Sequence, residues 1–126
     1  MTLRYCLTLD LKNDPDLIAR YKDHHKQVWP EIVESIKDSG VEEMDIYLLG
    51  TRLLMVLEVN ESFSFEKKAR LDEENAKVRE WEQLMSRFQQ QLPEAKPGQK
   101  WVVMEQIFKL ENDRNGGAER PQAVIS

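Results

Sequence analysis

The chain has 126 residues, the length of one domain, with 40% hydrophobic and 33% charged residues and a net charge of −5 at pH 7. A chain of this size buries roughly two-thirds of its unfolded surface, enough for one core without metal or disulfide staples. The acidic balance argues against nucleic acid or an anionic membrane as partner, no apolar run approaches the ~20 residues of a membrane span, and one cysteine with two histidines excludes an internal disulfide and a histidine-rich metal site.

Leu3, Tyr5, Leu7, Leu9 and Leu11 alternate with Arg4, Cys6, Thr8 and Asp10, a period of two that predicts a strand with one apolar and one polar face. Lys12-Asn13-Asp14-Pro15 turns into a helix, with Asp14 as N-cap and Pro15 at the first helical position. From Pro15 to about Ser39 the period becomes helical: Ile18, Tyr21, His25, Val28, Ile32 and Ile36 fall on one stripe, and Gly40 is placed to end it. Pro30 lies inside, crowds the carbonyl of Lys26 and predicts a kink or break.

Met44 to Leu49 and Leu53 to Asn60, separated by Gly50-Thr51-Arg52, read as a β-hairpin. Residues 62–92 form the second helical region, capped by Ser62 or Ser64 and interrupted between Leu71 and Asn75; Val78, Trp81, Met85, Phe88 and Leu92 make its stripe, and Pro93 and Pro97 close it. Lys100 to Leu110 is the last predicted strand, and residues 111–126 form a C-terminal tail outside the domain of residues 1–110.

The resulting order, βαββαβ, is the ferredoxin-like α+β arrangement, with two helices over one face of a four-stranded antiparallel sheet. Leu53-Leu54-Met55-Val56-Leu57 is apolar on both faces, whereas a strand with one wet face alternates. At ~25 cal/mol per Å² of apolar surface, covering several aliphatic side chains is worth several kcal/mol. A second copy packed sheet to sheet, a dimeric α/β barrel, provides that cover, so the chain is expected to be a homodimer.

Tyr21 and His25 are four residues apart and face the same way on a helix. They are either core residues with satisfied polar tips or the acid-base pair of a partly buried cleft, since a histidine exchanges protons near neutrality. His24 points about 100° away, so the two histidines do not chelate a metal. Arg4 and Asp10 share the polar face of the first strand, and Asp45 and Tyr47 share one face of the second, opposite Met44 and Ile46. Glu58 and Glu105 lie within apolar strands, where a carboxylate needs a partner. These polar side chains either line a barrel interior or sit at strand ends in water. Trp81 belongs to a core stripe, although its indole face also suits the apolar face of a sugar. No phosphate loop, Cys-x-x-Cys, zinc spacing or catalytic-triad pattern is present. What remains is proton transfer on a small polar molecule, or binding alone.

The run Tyr21-Lys-Asp-His-His25-Lys-Gln-Val-Trp29-Pro30-Glu31, with Ile46-Tyr47-Leu48 and Trp81, resembles the L-rhamnose mutarotase family from about Leu3 to Leu110. The ending from Lys96 to Phe108 is most similar to the branch described as L-fucose mutarotases. The resemblance implies a dimeric α/β barrel that interconverts the α and β anomers of a 6-deoxy-L-hexose without metal or organic cofactor. It also implies that His25 donates the proton and that Tyr21 and Trp81 contact the sugar. A sugar-binding tyrosine of rhamnose-type members falls at Met44 here, and the second of two adjacent tryptophans falls at Glu82, which is compatible with L-fucose first and L-rhamnose next.

On this reading His25 protonates the ring oxygen while Tyr21, Asp45 or Glu105 accepts from the anomeric hydroxyl or orients His25. The expected binding residues are Tyr21, Trp81, Met44, Asp45, Tyr47, Arg4 and Glu105. The opening Met1-Thr2-Leu3-Arg4-Tyr5-Cys6 has no signal-peptide pattern, and the lone thiol fits a reducing compartment, so a cytoplasmic location is expected. The rival readings are a non-catalytic small-ligand-binding dimer of the same barrel, and a haem- or quinone-handling barrel enzyme.

Overall fold

The computed structural model describes residues 3–110; the predicted tail lies outside them. β1 (Leu3–Leu11) is central. β3 (Arg52–Val59) pairs antiparallel with it on one side, and β2 (Val41–Leu49) pairs with β3 beyond. On the other side β1 pairs with two short strands, β4 (Gln89–Gln90) near its end and β5 (Val102–Val103) near its middle. The described residues also form four helices: α1 (Pro15–His24), α2 (Pro30–Asp38), α3 (Phe65–Glu74) and α4 (Ala76–Ser86). This is the ferredoxin-like α+β fold, with each predicted helical region divided in two.

The divisions have local causes. Asp14 Oδ1 accepts from the Asp16 amide at 2.9 Å and opens α1. Pro30 cannot donate to Lys26, so α1 ends at His24 and Pro30 instead starts α2, with Trp29 extended before it (φ −56°, ψ 137°). Asn75 ends α3 and caps α4, its Oδ1 accepting from the Lys77 amide at 3.0 Å and the Val78 amide at 3.3 Å. Gly40, at φ +103°, follows the last turn of α2 and feeds β2.

The register divides the sheet into two faces. Leu7 opposes Met55, Leu9 opposes Leu53, and Met44 opposes Leu57. With Ile46 these side chains share the face toward the helices, where Leu9, Leu53, Leu57 and Val59 are almost wholly buried. Arg4, Cys6, Thr8, Asp45, Tyr47, Leu54 and Val56 alternate onto the other face, which no element among the described residues covers. The run Leu53–Leu57 thus sends Leu53, Met55 and Leu57 toward the helices and Leu54 and Val56 to the opposite face.

Two predicted elements differ. The second helical region ends at Ser86, not residue 92; Gln89 and Gln90 turn into a strand against Leu11 and Asp10. Phe88 and Leu92 are buried nevertheless, and their spacing of four imitates a helical stripe. The last strand is Val102–Val103 rather than Lys100–Leu110. Met104 N–H still donates to Cys6 at 2.7 Å. Continuing the Leu7–Val103 register would set Ile107 opposite Leu3, so from Phe108 onward β1 offers no partner. Ile107, Phe108 and Leu110 are exposed.

Candidate active site

Between the helices and the inner face of the sheet lies a cavity of about 460 Å³. Met44, Ile46 and Leu57 form part of its apolar floor, Tyr21, His25 and Trp81 contribute hydrogen-bonding groups from the helical side, and Gln89 adds another from β4. Asp72, Glu82, Lys68 and Lys100 add charge to its lining.

The early end of α1 places His25. It is the C-cap of that helix, and its Nδ1 lies 2.8 Å from the Tyr21 carbonyl oxygen. A carbonyl only accepts, so Nδ1 carries a proton and donates, leaving Nε2 as the position of proton exchange. No other protein group among the described residues bonds the ring. The Tyr21 and His25 rings are tilted with centroids 4.5 Å apart, and the Trp81 ring stands edge-on to His25 at 5.6 Å. Burial pushes the His25 pKa below its ordinary 6.5, aided by His24 and opposed by the Tyr21 carbonyl. Burial also raises the Tyr21 phenol above 10.0, opposed by the Gln89 side chain, so Tyr21 remains a neutral phenol.

Trp81 is buried, with its ring 5.1 Å from that of Trp29; it is both a core side chain and a cavity wall. His24 packs its ring 5.5 Å from Phe88. Among the described residues no group of three or more His, Cys, Asp or Glu is placed to hold a metal ion.

Of the residues read from the sequence, Tyr21, His25, Met44 and Trp81 meet in the cavity. Arg4, Asp45 and Tyr47 do not: strand alternation puts them on the opposite face of the sheet. Arg4 there pairs with Glu58, its cross-strand neighbour, at 2.9 Å, which also supplies the partner expected for that carboxylate. Glu105 lies past the end of β5 and is exposed, because the strand that was to carry it inward stops at Val103.

Gln89, Asp72 and Lys68 were missed. Gln89 was hidden inside the false helical stripe, and Asp72 and Lys68 inside an ordinary charged helix. Asp72 is tied to Lys68 at 2.7 Å. Glu82 keeps its carboxyl pKa above the ordinary 4.5 through burial and the charge of Asp72, with Lys100 and Lys68 pulling the other way.

The family model for L-rhamnose mutarotase matches residues 4–110. An L-fucose mutarotase of Xanthomonas campestris pv. campestris is 41% identical over 109 residues, spanning 85% of this chain and 87% of that protein. An L-rhamnose mutarotase of Acidiphilium cryptum is 30% identical over 86 residues, spanning 67% of this chain and 79% of that protein. The crystal structure of an L-rhamnose mutarotase from Formosa agariphila superimposes with a TM-score of 0.65 at 23% identity, covering 86% of this chain and 99% of that one, a likeness of fold.

Proposed function

The chain belongs to the L-rhamnose mutarotase family, and from that membership we propose that it interconverts the α and β anomers of a 6-deoxy-L-hexose, with L-fucose favoured and L-rhamnose next. The observation that carries the reading is the cavity in which His25, Tyr21 and Trp81 meet over an apolar floor. The preference for L-fucose rests on the 41% identity to an L-fucose mutarotase and on Met44 and Glu82 standing where rhamnose-type members carry aromatic rings.

Mutarotation requires the ring oxygen to gain a proton as the anomeric hydroxyl loses one. The C1–O5 bond then breaks, the C1–C2 bond turns, and the aldehyde closes on its other face as both protons return. His25 donates from Nε2, since Nδ1–H is held by the Tyr21 carbonyl. The neutral phenol of Tyr21 holds the sugar. Of the carboxylates lining the cavity, Asp72 is committed to Lys68, so Glu82 accepts the anomeric proton, its raised pKa making it a stronger base.

The uncovered sheet face supports a homodimer. Leu54, Val56, Val102 and Met104 share it by register, and the cross-strand pairs Arg4–Glu58 and Asp10–Arg52 flank it. A lone half-buried Cys6 supports a reducing, cytoplasmic setting. No described helix is long and apolar enough to cross a membrane.

Magnetisation-exchange NMR on L-fucose and L-rhamnose tests the function. Catalysed anomer exchange is expected for L-fucose above L-rhamnose; exchange at the buffer rate for both sugars would leave only the binding reading.

A further inference from the structure

Gln89 is half-buried and lines the cavity. Its backbone is fixed in β4 opposite Leu11, and Phe88 beside it is buried against the Tyr21 ring at a centroid distance of 6.1 Å. The side chain therefore has an anchored base. Its carboxamide lies near the Tyr21 phenol and pulls that group's pKa down against burial. Its Oε1 is buried and meets no hydrogen-bond partner among the described residues.

A buried acceptor without a partner costs about 1–3 kcal/mol, and such groups are rare in folded proteins. Turning the amide over does not remove the problem. Oε1 would then face Tyr21, and the NH2 group would take the unpaired position. One polar end of Gln89 is left over in either orientation, on a residue that lines the cavity. Gln89 is also the uncharged polar partner that a sugar requires: a hydroxyl both donates and accepts, so it pairs with whichever end is presented.

We propose that Gln89 is a substrate-recognition residue whose unpaired carboxamide end binds one ring hydroxyl of the sugar beside the Tyr21 phenol. The assignment rests on the mutarotase reading and deepens it. It makes Gln89 a specificity residue, because a sugar whose hydroxyl is inverted or missing at that position leaves the carboxamide unpaired again.

The test uses the full chain with the near-isosteric Gln89→Met and, as a second variant, Gln89→Leu. Exchange NMR across a range of L-fucose concentrations separates the maximal rate from the apparent KM. Both variants are expected to unfold at or above the wild-type temperature, since a buried unpaired atom has been removed. Their apparent KM should rise about three- to tenfold, the worth of one neutral hydrogen bond. Among singly deoxygenated L-fucoses, the variant's penalty should vanish for one analogue, the one lacking the bound hydroxyl. An unchanged KM in both variants, or an equal penalty on every analogue, overturns the assignment while leaving the function intact. A wild type that accelerates neither sugar overturns both.

Discussion

The imidazole of His25 is held by the residue whose ring it faces: Nδ1 lies 2.8 Å from the Tyr21 carbonyl oxygen while the two rings sit 4.5 Å apart. One turn of helix thus fixes the tautomer, the ring plane and the neighbouring phenol together. This arrangement depends on α1 ending at His24, since the carbonyl of Tyr21 is within reach of the side chain at the C-cap. His25→Asn should keep the fold and lower the exchange rate about 10²- to 10⁴-fold, the usual contribution of a positioned acid or base. Full exchange activity in a folded His25→Asn protein would remove the imidazole from the chemistry.

The lowered His25 pKa has a sign that can be checked. Above pH 6.5 the imidazole is neutral in both the native and the unfolded chain. As pH falls below 6.5, the unfolded chain takes up the proton first, because burial disfavours the charged form in the native state. Stability therefore falls with pH below 6.5, through the lowered native pKa, and His25→Asn should lack that part of the slope in denaturant titrations. With the imidazolium as donor, kcat/KM declines as pH rises through a midpoint below 6.5. A rate that climbs over the same interval would instead make the neutral imidazole the base.

Glu82 supplies a second, independent check on the proton path. Its carboxyl sits among Lys68, Asp72 and Lys100, and its net shift is upward. Glu82→Gln preserves size and removes the base. The maximal exchange rate should drop by about 10²-fold with the apparent KM for L-fucose little changed. A KM change with an unaltered maximal rate would reassign Glu82 to binding.

What the sequence disclosed depended on how local the cause was. The alternation of β1, the Asp14 cap, the break at Pro30 and the one-face spacing of Tyr21 and His25 are each set within a few residues, and each is present. Met44 and Asp45 were assigned to one site although adjacent strand residues point to opposite faces; the structure keeps Met44 in the cavity and Asp45 on the uncovered face. Glu105 failed because β5 stops at Val103, although β1 continues to Leu3 beside it; nothing within the run Lys100 to Leu110 marks that early end. Gln89 stayed hidden because Phe88 and Leu92 are buried from a turn and a loop at a helix-like spacing.

Gly40 links α2 to β2 in the left-handed region, at φ +103°, and a Cβ there would meet Ser62 Oγ at 2.8 Å and both Asn60 Oδ1 and Phe63 Cβ at 3.0 Å. Its carbonyl also accepts from the Asn60 amide at 2.9 Å, so the backbone cannot easily swing away. Gly40→Ala therefore combines strain with a clash and should destabilise the protein by about 1–3 kcal/mol. Denaturant unfolding measures it. A loss below a few tenths of a kcal/mol would show that the turn relaxes freely.

Val56 sits mid-strand on the uncovered face, between Cys6 of β1 and Asp45 of β2. Its neighbours on β3 along that face are Leu54 and Glu58, the latter already paired with Arg4. A charge placed at Val56 finds no cationic partner across the strands and, within a sheet-to-sheet dimer, would be buried against an identical charge. Val56→Glu should therefore yield a folded monomer where the wild type sediments as a dimer, because the free face is already in water in the monomer and the substitution costs little there. Unequal effects on assembly and folding are the decisive signature: a wild type that sediments as a monomer, or a Val56→Glu chain that still dimerises, would place the covering of this face elsewhere.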